Sequence, residues 1–198
     1  MKIIGITGKT GSGKSTAAAY LNSKLKDSII LDLDGIAKDV YRENKNVVEK
    51  LRFCFGKDIA DCDDKVNYKK LGSIVFADCG EMEKLDEIMF PLIEEKVKEY
   101  ILKNNSKSGY IIIDAAILFK SNIYKYCNKI ILVKSDLKNR RKRLKNKNGS
   151  LSESDLENRL KNQKIGIIGK KINFIIENDS KKEDLYEKLE ELIDTLAE

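Results

Sequence analysis

The sequence predicts an α/β fold in which helices cover both faces of a parallel sheet. Five short apolar runs, rich in β-branched residues, alternate with longer segments in which apolar residues recur every three or four positions. Continuous apolar strands are typical of parallel sheets, because the crossover helices bury both faces. The 198 residues contain no internal repeat or linker, so we expect one domain over residues 1–198.

The expected strands follow the apolar runs in chain order. Isoleucine and valine favour a buried strand in runs this short, because β-branched side chains pack well on a pleated sheet. The five ranges are Lys2–Thr7, Ser28–Asp32, Tyr110–Asp114, Lys129–Val133 and Asn173–Glu177.

The helices are expected where apolar residues recur at helical spacing. The first begins at a glycine-rich loop and ends at about Leu25, and the next ranges are Gly35–Arg52, Val66–Phe76, Glu81–Leu102 and Asp136 to about Lys147. Pro91, the only proline, lies inside the fourth helix and predicts a kink or a split. Residues 44–105 therefore place more helix between strands two and three than one crossover needs, which is where a substrate lobe would form.

Two more helices complete the chain. Ser152 followed by Asp155 is a capping-box pattern, so a helix begins there. The last helix carries one apolar face that is expected to dock on the sheet; its residues are Leu185, Leu189, Leu192, Ile193 and Leu196.

Composition excludes several classes of function. The net charge of +6 favours an anionic partner. The absence of histidine excludes Ser-His-Asp and Cys-His catalysis as well as histidine-containing zinc sites. The four cysteines show neither a CxxC pair nor metal-ligand spacing, which is typical of reduced thiols. With no visible signal peptide or membrane span, we expect a cytoplasmic monomer or weak oligomer with no membrane partner.

Residues 8–15 match the phosphate-binding pattern G-x-x-x-x-G-K-[ST] in full, between an expected strand and helix. Its glycines let successive backbone amides point at phosphate oxygens, and the helix amino terminus adds a favourable dipole. We expect Lys14 to reach the β- and γ-phosphates of ATP and Ser15 to ligate Mg²⁺. The expected ATP-binding residues are Gly8, Lys9, Thr10, Gly11, Ser12, Gly13, Lys14, Ser15 and Thr16.

Two aspartates follow the second strand, at Asp32 and Asp34. Carboxyl ends of parallel strands face the ligand crevice, and alternation along a strand would put both side chains on one side. A carboxylate there can accept a hydroxyl proton or hold a metal. We expect Asp34 to act as base and Asp32 to lie near the metal, the alternative being ordinary turn residues. Asp114, at the end of strand three, is a further candidate.

Arg140, Arg143 and Lys147 form one stripe on a basic helix. Kinases acting on small molecules need mobile cations that close over the phosphates, and the turn dipeptide at 148–149 suits a lid tip. We place the lid at residues 136–164. A solvated helix face and nucleic-acid binding are the alternatives. No aromatic residue interleaves the basic run, as a single-strand stacking surface requires, so no nucleic-acid partner is expected.

In this order and spacing, the motifs resemble those of the dephospho-coenzyme A kinase family over most of the chain. The phosphate-binding loop (P-loop) and the Asp-x-Asp element are specific to the family, and the other elements support the resemblance through their order and spacing. The matching elements are Gly5–Thr16, Asp32-Leu-Asp34 with Gly35-Ile36-Ala37, Phe55-Gly56, Leu71…Val75-Phe76, Arg143-Leu144, Arg159…Gln163 and Asn178.

The departures from that family lie mainly on the acceptor side. Tyr68 stands where the family has an arginine, Phe90 precedes Pro91 where it has histidine, and Lys120 stands where it has glutamate. Lys147 replaces a second lid arginine, and Ile172-Asn173 replaces an Ala-Asp pair. Lysine keeps the charge of arginine but loses its bidentate geometry.

The resemblance implies a P-loop NTPase fold with strand order 2-3-1-4-5, a helical acceptor lobe over 44–105 and a lid. It implies transfer of the γ-phosphoryl group of ATP, with Mg²⁺, to the ribose 3′-hydroxyl of dephospho-coenzyme A, the last step of coenzyme A biosynthesis. Its catalytic residues would be Asp34, Lys14, Arg140 and Arg143, and its acceptor-binding residues Asp32, Asp34, Tyr68, Phe90 and Leu118. The rivals are a related kinase for another nucleoside-like alcohol, a catalytically silent ATP-binding regulator and a nucleic-acid-dependent ATPase.

Overall fold

Five parallel strands form one sheet in the order β2-β3-β1-β4-β5, as expected. The structure is a computed structural model that describes residues 1–104, 108–147, 152–163 and 165–197. All four strand pairings are parallel, and Asp32 at the end of β2 lies in register with Asp114 at the end of β3. The strands are β1 (Lys2–Thr7), β2 (Ser28–Asp32), β3 (Tyr110–Asp114), β4 (Lys129–Lys134) and β5 (Phe174–Glu177).

Helices connect the strands and cover both faces of the sheet. Within the described residues they are α1 (Lys14–Lys24), α2 (Leu33–Glu43), α3 (Lys45–Phe55), α4 (Tyr68–Ala77), α5 (Cys79–Asn104), α6 (Leu137–Lys147), α7 (Glu153–Asn162), α8 (Lys182–Glu190) and α9 (Ile193–Ala197). No helix of the described part of the chain is both long and apolar enough to cross a lipid bilayer.

Alternation along the strands divides the core into two layers. Ile3 and Ile113 belong to the layer beneath α2–α5, whereas Ile4, Ile6 and Ile112 belong to the layer beneath α1 and α8. Successive side chains of a strand point to opposite faces, so one apolar run supplies both layers. This arrangement explains why the strands read as uninterrupted apolar stretches.

Two asparagine caps change the helix boundaries from those expected. The single helix expected over 35–52 is two helices, because Asn44 ends α2 and caps α3, its side-chain oxygen accepting from the Val47 amide. The helix expected over 66–76 is α4, which begins at Tyr68 because Asn67 caps it. Asparagine is favoured at such positions since its side chain satisfies an amide at the helix start.

Pro91 does not split the long helix, because α5 is continuous across it. The proline is exposed, whereas Met89, Ile93 and Val97 on the other face are buried in the core beneath α2–α5. We infer that this packing on both sides of the proline offsets the hydrogen bond that proline cannot donate.

The carboxyl-terminal segment docks on the sheet as expected but consists of two helices, α8 and α9. Its apolar face packs in the layer beneath α1 through Leu185, Leu189 and Leu196, with Leu192 and Ile193 partly buried against it. The Ser152 cap of α7 is confirmed, because its hydroxyl accepts from the Asp155 amide at 3.1 Å. The turn expected at 148–149 lies outside the described residues.

Candidate active site

The phosphate-binding loop leaves the sheet at the end of β1 and enters α1 at Lys14. Two of its glycines are required by space and by backbone conformation. Gly8 has φ 151°, and a Cβ there would lie 2.2 Å from the Val133 carbonyl oxygen. Gly13 has φ 102°, and a Cβ there would lie 2.3 Å from Nδ2 of Asn178. A side chain at either position would therefore push the loop away from the strands that support it.

Side chains from α6 hold the outer carbonyl groups of this loop. Nε of Arg140 donates to the Thr10 carbonyl oxygen at 2.9 Å, and Arg143 donates to the Gly11 carbonyl oxygen at 3.3 Å. Arg140 is buried and does not line the cavity described below, whereas Arg143 does. The structure thus places both arginines as braces of the loop, which differs from the mobile lid stripe expected. The side chain of Lys147, the third member of that stripe, lies outside the described residues.

Asn178, which follows β5, completes this bracing. Its Nδ2 donates to the Ser12 carbonyl oxygen at 2.7 Å, and its backbone carbonyl oxygen accepts from Arg143 at 2.8 Å. With the Thr10 and Ser12 carbonyls turned toward these donors, the Gly11 and Gly13 amides of the same peptide planes are turned the opposite way, where they can bind an anion.

A cavity of about 650 Å³ opens beside the loop at the carboxyl ends of the strands. It joins the loop to α2, to the inserted helices α4 and α5, and to α7. Its lining residues are Thr10, Gly11, Gly13, Lys14, Ser15, Thr16, Asp34, Lys38, Phe76, Met82, Asp86, Ala116, Ile117, Lys120, Arg143, Leu144, Arg159 and Gln163.

Asp114, at the end of β3, is buried next to Ser15 and Lys14 at the start of α1, although it does not line the cavity. Burial raises the pKa of its carboxyl group, while a hydrogen bond from Ser15 and the charge of Lys14 lower it. The negative charges of Asp32 and Asp34 raise it further. A buried carboxylate that faces the loop serine and lysine belongs to the phosphate site, and Asp114 was only the further candidate from the sequence.

Asp32 and Asp34 are not equivalent, contrary to the expectation from strand alternation. The strand ends at Asp32, which caps α2 by accepting from the Asp34 amide at 3.0 Å. Asp34 therefore lies in the first turn of a helix and lines the main cavity. Asp32 lines a separate cavity of about 400 Å³ at the edge of the sheet. Asp34 therefore shares the cavity of the loop, whereas Asp32 lines the other cavity.

The three expected acceptor residues beyond these aspartates lie in different surroundings. Phe90 lines a side cavity of about 220 Å³ that shares Met82 with the main cavity. Tyr68 is 46% exposed and packs on Tyr41, with ring centroids 5.7 Å apart. Leu118 is fully buried in the core, so the expectation that it contacts an acceptor is wrong; its neighbours at 116–117 line the main cavity instead.

An ion pair stands where the main and side cavities meet. Nζ of Lys120 donates to Oδ2 of Asp86 at 2.5 Å, and the two side chains are 23% and 16% exposed. Burial raises the pKa of Asp86, and the hydrogen bond and charge of Lys120 partly offset that rise. Asp86 thus supplies the partner for the lysine that departs from the family pattern.

Sequence reasoning missed Lys38 and Asp86, both of which line the main cavity. Lys38 stands four residues after Asp34 in the sequence, and that helical spacing could have found it if α2 had been taken to begin before Asp34. No local signal marks Asp86, because its role depends on a contact with Lys120 from a distant part of the chain.

The described residues contain no group of three or more histidine, cysteine, aspartate or glutamate side chains that could hold a metal. Mg²⁺ in phosphoryl-transfer sites is bound through one or two protein oxygens together with phosphates and water. Ser15 and Asp114 offer such a pair, because their side chains lie within interaction distance of each other. The donor set therefore fits Mg²⁺ delivered with a nucleotide.

Replacing Asp114 by asparagine is expected to stabilise the fold at neutral pH. The pKa of this carboxyl group is higher in the folded protein than in the unfolded chain. At pH values between these two pKa values the folded protein binds more protons, so its stability falls as the pH rises through that range. The gain in melting temperature should thus be larger at pH 7 than at pH 4, as thermal unfolding of both proteins would measure. A gain of the same size at both pH values would contradict this assignment.

A family model described as dephospho-CoA kinase matches residues 2–184 of the chain. A dephospho-CoA kinase of Fusobacterium nucleatum is 38% identical over 197 residues, which cover 98% of each chain. The enzyme of the same name from Aquifex aeolicus is 32% identical over 198 residues, or 100% of this chain and 98% of the relative.

A solved structure of the same family is similar over nearly the whole chain. A dephospho-CoA kinase from Campylobacter jejuni superposes with a TM-score of 0.65 at 27% identity, over 99% of this chain and 98% of the other. The similarity therefore spans the loop, the inserted helices and α7 together.

Proposed function

The chain belongs to the dephospho-CoA kinase family, and we propose from this premise that it transfers the γ-phosphoryl group of ATP to the ribose 3′-hydroxyl of dephospho-coenzyme A. It is thus a kinase whose acceptor is an alcohol. The observation that carries the proposal is that the phosphate-binding loop and Asp34 line the same cavity.

The nucleotide half of the reaction rests on the loop. Lys14 would neutralise the β- and γ-phosphates, and the backbone amides of the loop would bind their oxygens. The braces from Arg140, Arg143 and Asn178 hold the loop carbonyls back, so the amides are oriented before substrate arrives. Such preorganisation lowers the barrier because no reorientation is needed during transfer.

Ser15 and Asp114 would hold Mg²⁺, in place of the pair Ser15 and Asp32 expected from the sequence. When bound, the ion would offset the negative charge of the phosphates. Asp114 is suited to this position because its carboxylate already faces the Ser15 hydroxyl. Asp32 acts from further away, through its effect on the pKa of Asp114.

Asp34 would accept the proton of the attacking hydroxyl. It lies in the first turn of α2 on the cavity side, and Lys38 of the same helix lines the cavity with it. The acceptor would lie between Asp34 and the helices inserted within 44–105, with Phe90 at the side cavity. Arg143, which lines the cavity, would stabilise charge on the transferring group, whereas buried Arg140 would act through the loop.

The proposal is tested by incubating the protein with MgATP and a panel of acceptors. We expect phosphorylated product with dephospho-coenzyme A, identified by mass spectrometry, and no product with its 3′-deoxy analogue. ATP binding without transfer to any acceptor would favour a silent regulator. ATP hydrolysis stimulated by DNA or RNA, with binding that weakens steeply as salt rises, would favour a nucleic-acid-dependent ATPase.

A related kinase for another nucleoside-like alcohol is the second candidate. The pair of Lys120 and Asp86 favours it, because a lysine occupies an acidic position of the family at the border of the acceptor cavity. Preferential turnover of a different alcohol in the same panel would establish this alternative.

Breaking that ion pair is expected to weaken acceptor use. Lys120→Met leaves the half-buried Asp86 carboxylate without its partner, and we expect KM for dephospho-coenzyme A to rise about 10-fold, with KM for ATP changing little. The exchanged double variant Lys120→Asp/Asp86→Lys should recover part of the loss, because it restores opposite charges. As a control, Lys96→Met on α5 breaks the more exposed pair with Glu43 of α2 and should leave both constants unchanged. Equal KM values for wild type and Lys120→Met would refute the role of the pair.

A further inference from the structure

Gln163 makes a contact with the phosphate-binding loop that the reaction scheme above does not use. Its side-chain oxygen Oε1 accepts a hydrogen bond from the Thr10 amide at 2.5 Å. Gln163 is the C-cap residue that directly follows α7, and it lines the main cavity. The two residues are separated by 153 positions in the chain, so the contact exists only in the folded protein.

Thr10 is held from two sides. Gln163 fixes its amide, while Nε of Arg140 donates to its carbonyl oxygen at 2.9 Å. These groups belong to consecutive peptide planes, and each plane is rigid. Since the carbonyl oxygen of Thr10 is turned toward Arg140, the Gly11 amide in the same plane is turned the opposite way.

The next residue, Gly11, makes this restraint important for the conformation of the loop. Gly11 has φ 80°, and as a glycine it could rotate freely if the plane before it were released. If the loop relaxed in this way, its amides would no longer point toward the phosphates, although the protein would stay folded. Holding both planes of Thr10 removes that freedom.

The same helix also contacts the inserted lobe. The guanidinium carbon of Arg159 lies 5.0 Å from the centre of the Phe76 ring of α4, and both residues line the main cavity. Gln163 therefore follows a helix that also contacts the expected acceptor side. Its placement relative to the loop is set by packing that involves the lobe.

We propose that Gln163 is a positioning residue for phosphoryl transfer, which acts by fixing the Thr10 peptide so that the adjoining loop amides stay aimed at the transferring phosphate. This inference rests on the proposed kinase function. It assigns Gln163 no contact with the reacting atoms. Its effect falls on kcat more than on KM for ATP, because misaimed amides reduce stabilisation of the transition state more than ground-state binding.

The test compares two substitutions of similar length. Gln163→Met removes the acceptor, whereas Gln163→Glu keeps an oxygen that can accept from the Thr10 amide. Hydrogen exchange of that amide is followed by NMR in the protein without nucleotide, and kcat is measured at saturating MgATP and dephospho-coenzyme A. Lys161→Met, at an exposed position of α7, is the matched control.

We expect Gln163→Met to speed exchange of the Thr10 amide at least 10-fold and to lower kcat about 10-fold, with KM for ATP within threefold of wild type. Gln163→Glu should keep the amide protected and kcat within threefold, and Lys161→Met should match wild type. Should Gln163→Met be poorly folded by circular dichroism, Gln163→Asn, whose shorter side chain cannot reach Thr10, takes its place with the same expectations.

The inference is overturned if the variant lacking the acceptor keeps both slow exchange and wild-type kcat, or if exchange accelerates with no change in kcat. It is also overturned if Gln163→Glu loses as much kcat as Gln163→Met while its Thr10 amide stays protected. Absence of turnover in the wild-type protein is a different result, because it rejects the proposed function itself.

Discussion

Replacing Lys14 by alanine is expected to lower kcat/KM for ATP by about 1,000-fold or more, the range found when a cation on the transferring phosphates is lost. Lys14 lines the cavity at the first residue of α1, where the loop amides and the helix dipole already favour an anion. Arg140 cannot replace its charge, because that side chain is buried and does not line the cavity. Steady-state kinetics with dephospho-coenzyme A would measure the loss, and circular dichroism would show that the fold survives.

Lys9→Ala is the matched control for this experiment. Lys9 is an expected ATP-binding residue of the same loop, but its side chain is exposed and does not line the cavity, and alanine keeps the backbone amide through which the loop would bind phosphate. We expect its kcat/KM to stay within about threefold of wild type, since an exposed charge contributes little. Near-normal turnover by Lys14→Ala would refute the assignment of the loop, and equal losses in both variants would show that general charge rather than position matters.

Replacing Asp34 by asparagine is expected to reduce kcat by about 100-fold to 10,000-fold, the usual contribution of a general base. Asparagine keeps the size of the side chain but cannot accept the hydroxyl proton. Binding of MgATP, followed by calorimetry, should stay close to wild type because the loop is unchanged. Rapid-quench measurement of the transfer step would show that the loss lies in chemistry.

Asp32→Asn separates this role from that of the neighbouring aspartate. An asparagine at position 32 can still cap α2 by accepting from the Asp34 amide, so the backbone should keep its course. We expect a loss of less than fivefold in kcat. If Asp32→Asn proved inactive while Asp34→Asn turned over normally, the two assignments would have to be exchanged.

Much of the nucleotide side could be predicted from the sequence because its signals are local. The loop pattern of residues 8–15 combines glycines that permit positive φ angles with a lysine and a serine at the helix start. Strand order also agreed with the expectation from the family resemblance. The positions of the strands followed from β-branched runs, which depend on neighbouring residues only.

The expected helix boundaries were wrong where a hydrogen bond to a short polar side chain set the start of a helix. Asn44 divided one expected helix into two, and Asp32 began α2 early enough to put Asp34 in a helix. Both side chains accept a hydrogen bond from a nearby amide, and periodicity of apolar residues contains no information about such caps.

Taken alone, the sequence determined the phosphate-binding loop, the five apolar strands and the class of chemistry, because each follows from residues adjacent in the chain. Only the tertiary structure decided which carboxylate meets Ser15, that Arg140 braces the loop, and that Gln163 reaches Thr10. These contacts join segments far apart in sequence. Their geometry depends on how helices pack on the sheet, so it is set by the whole fold and not by any local pattern.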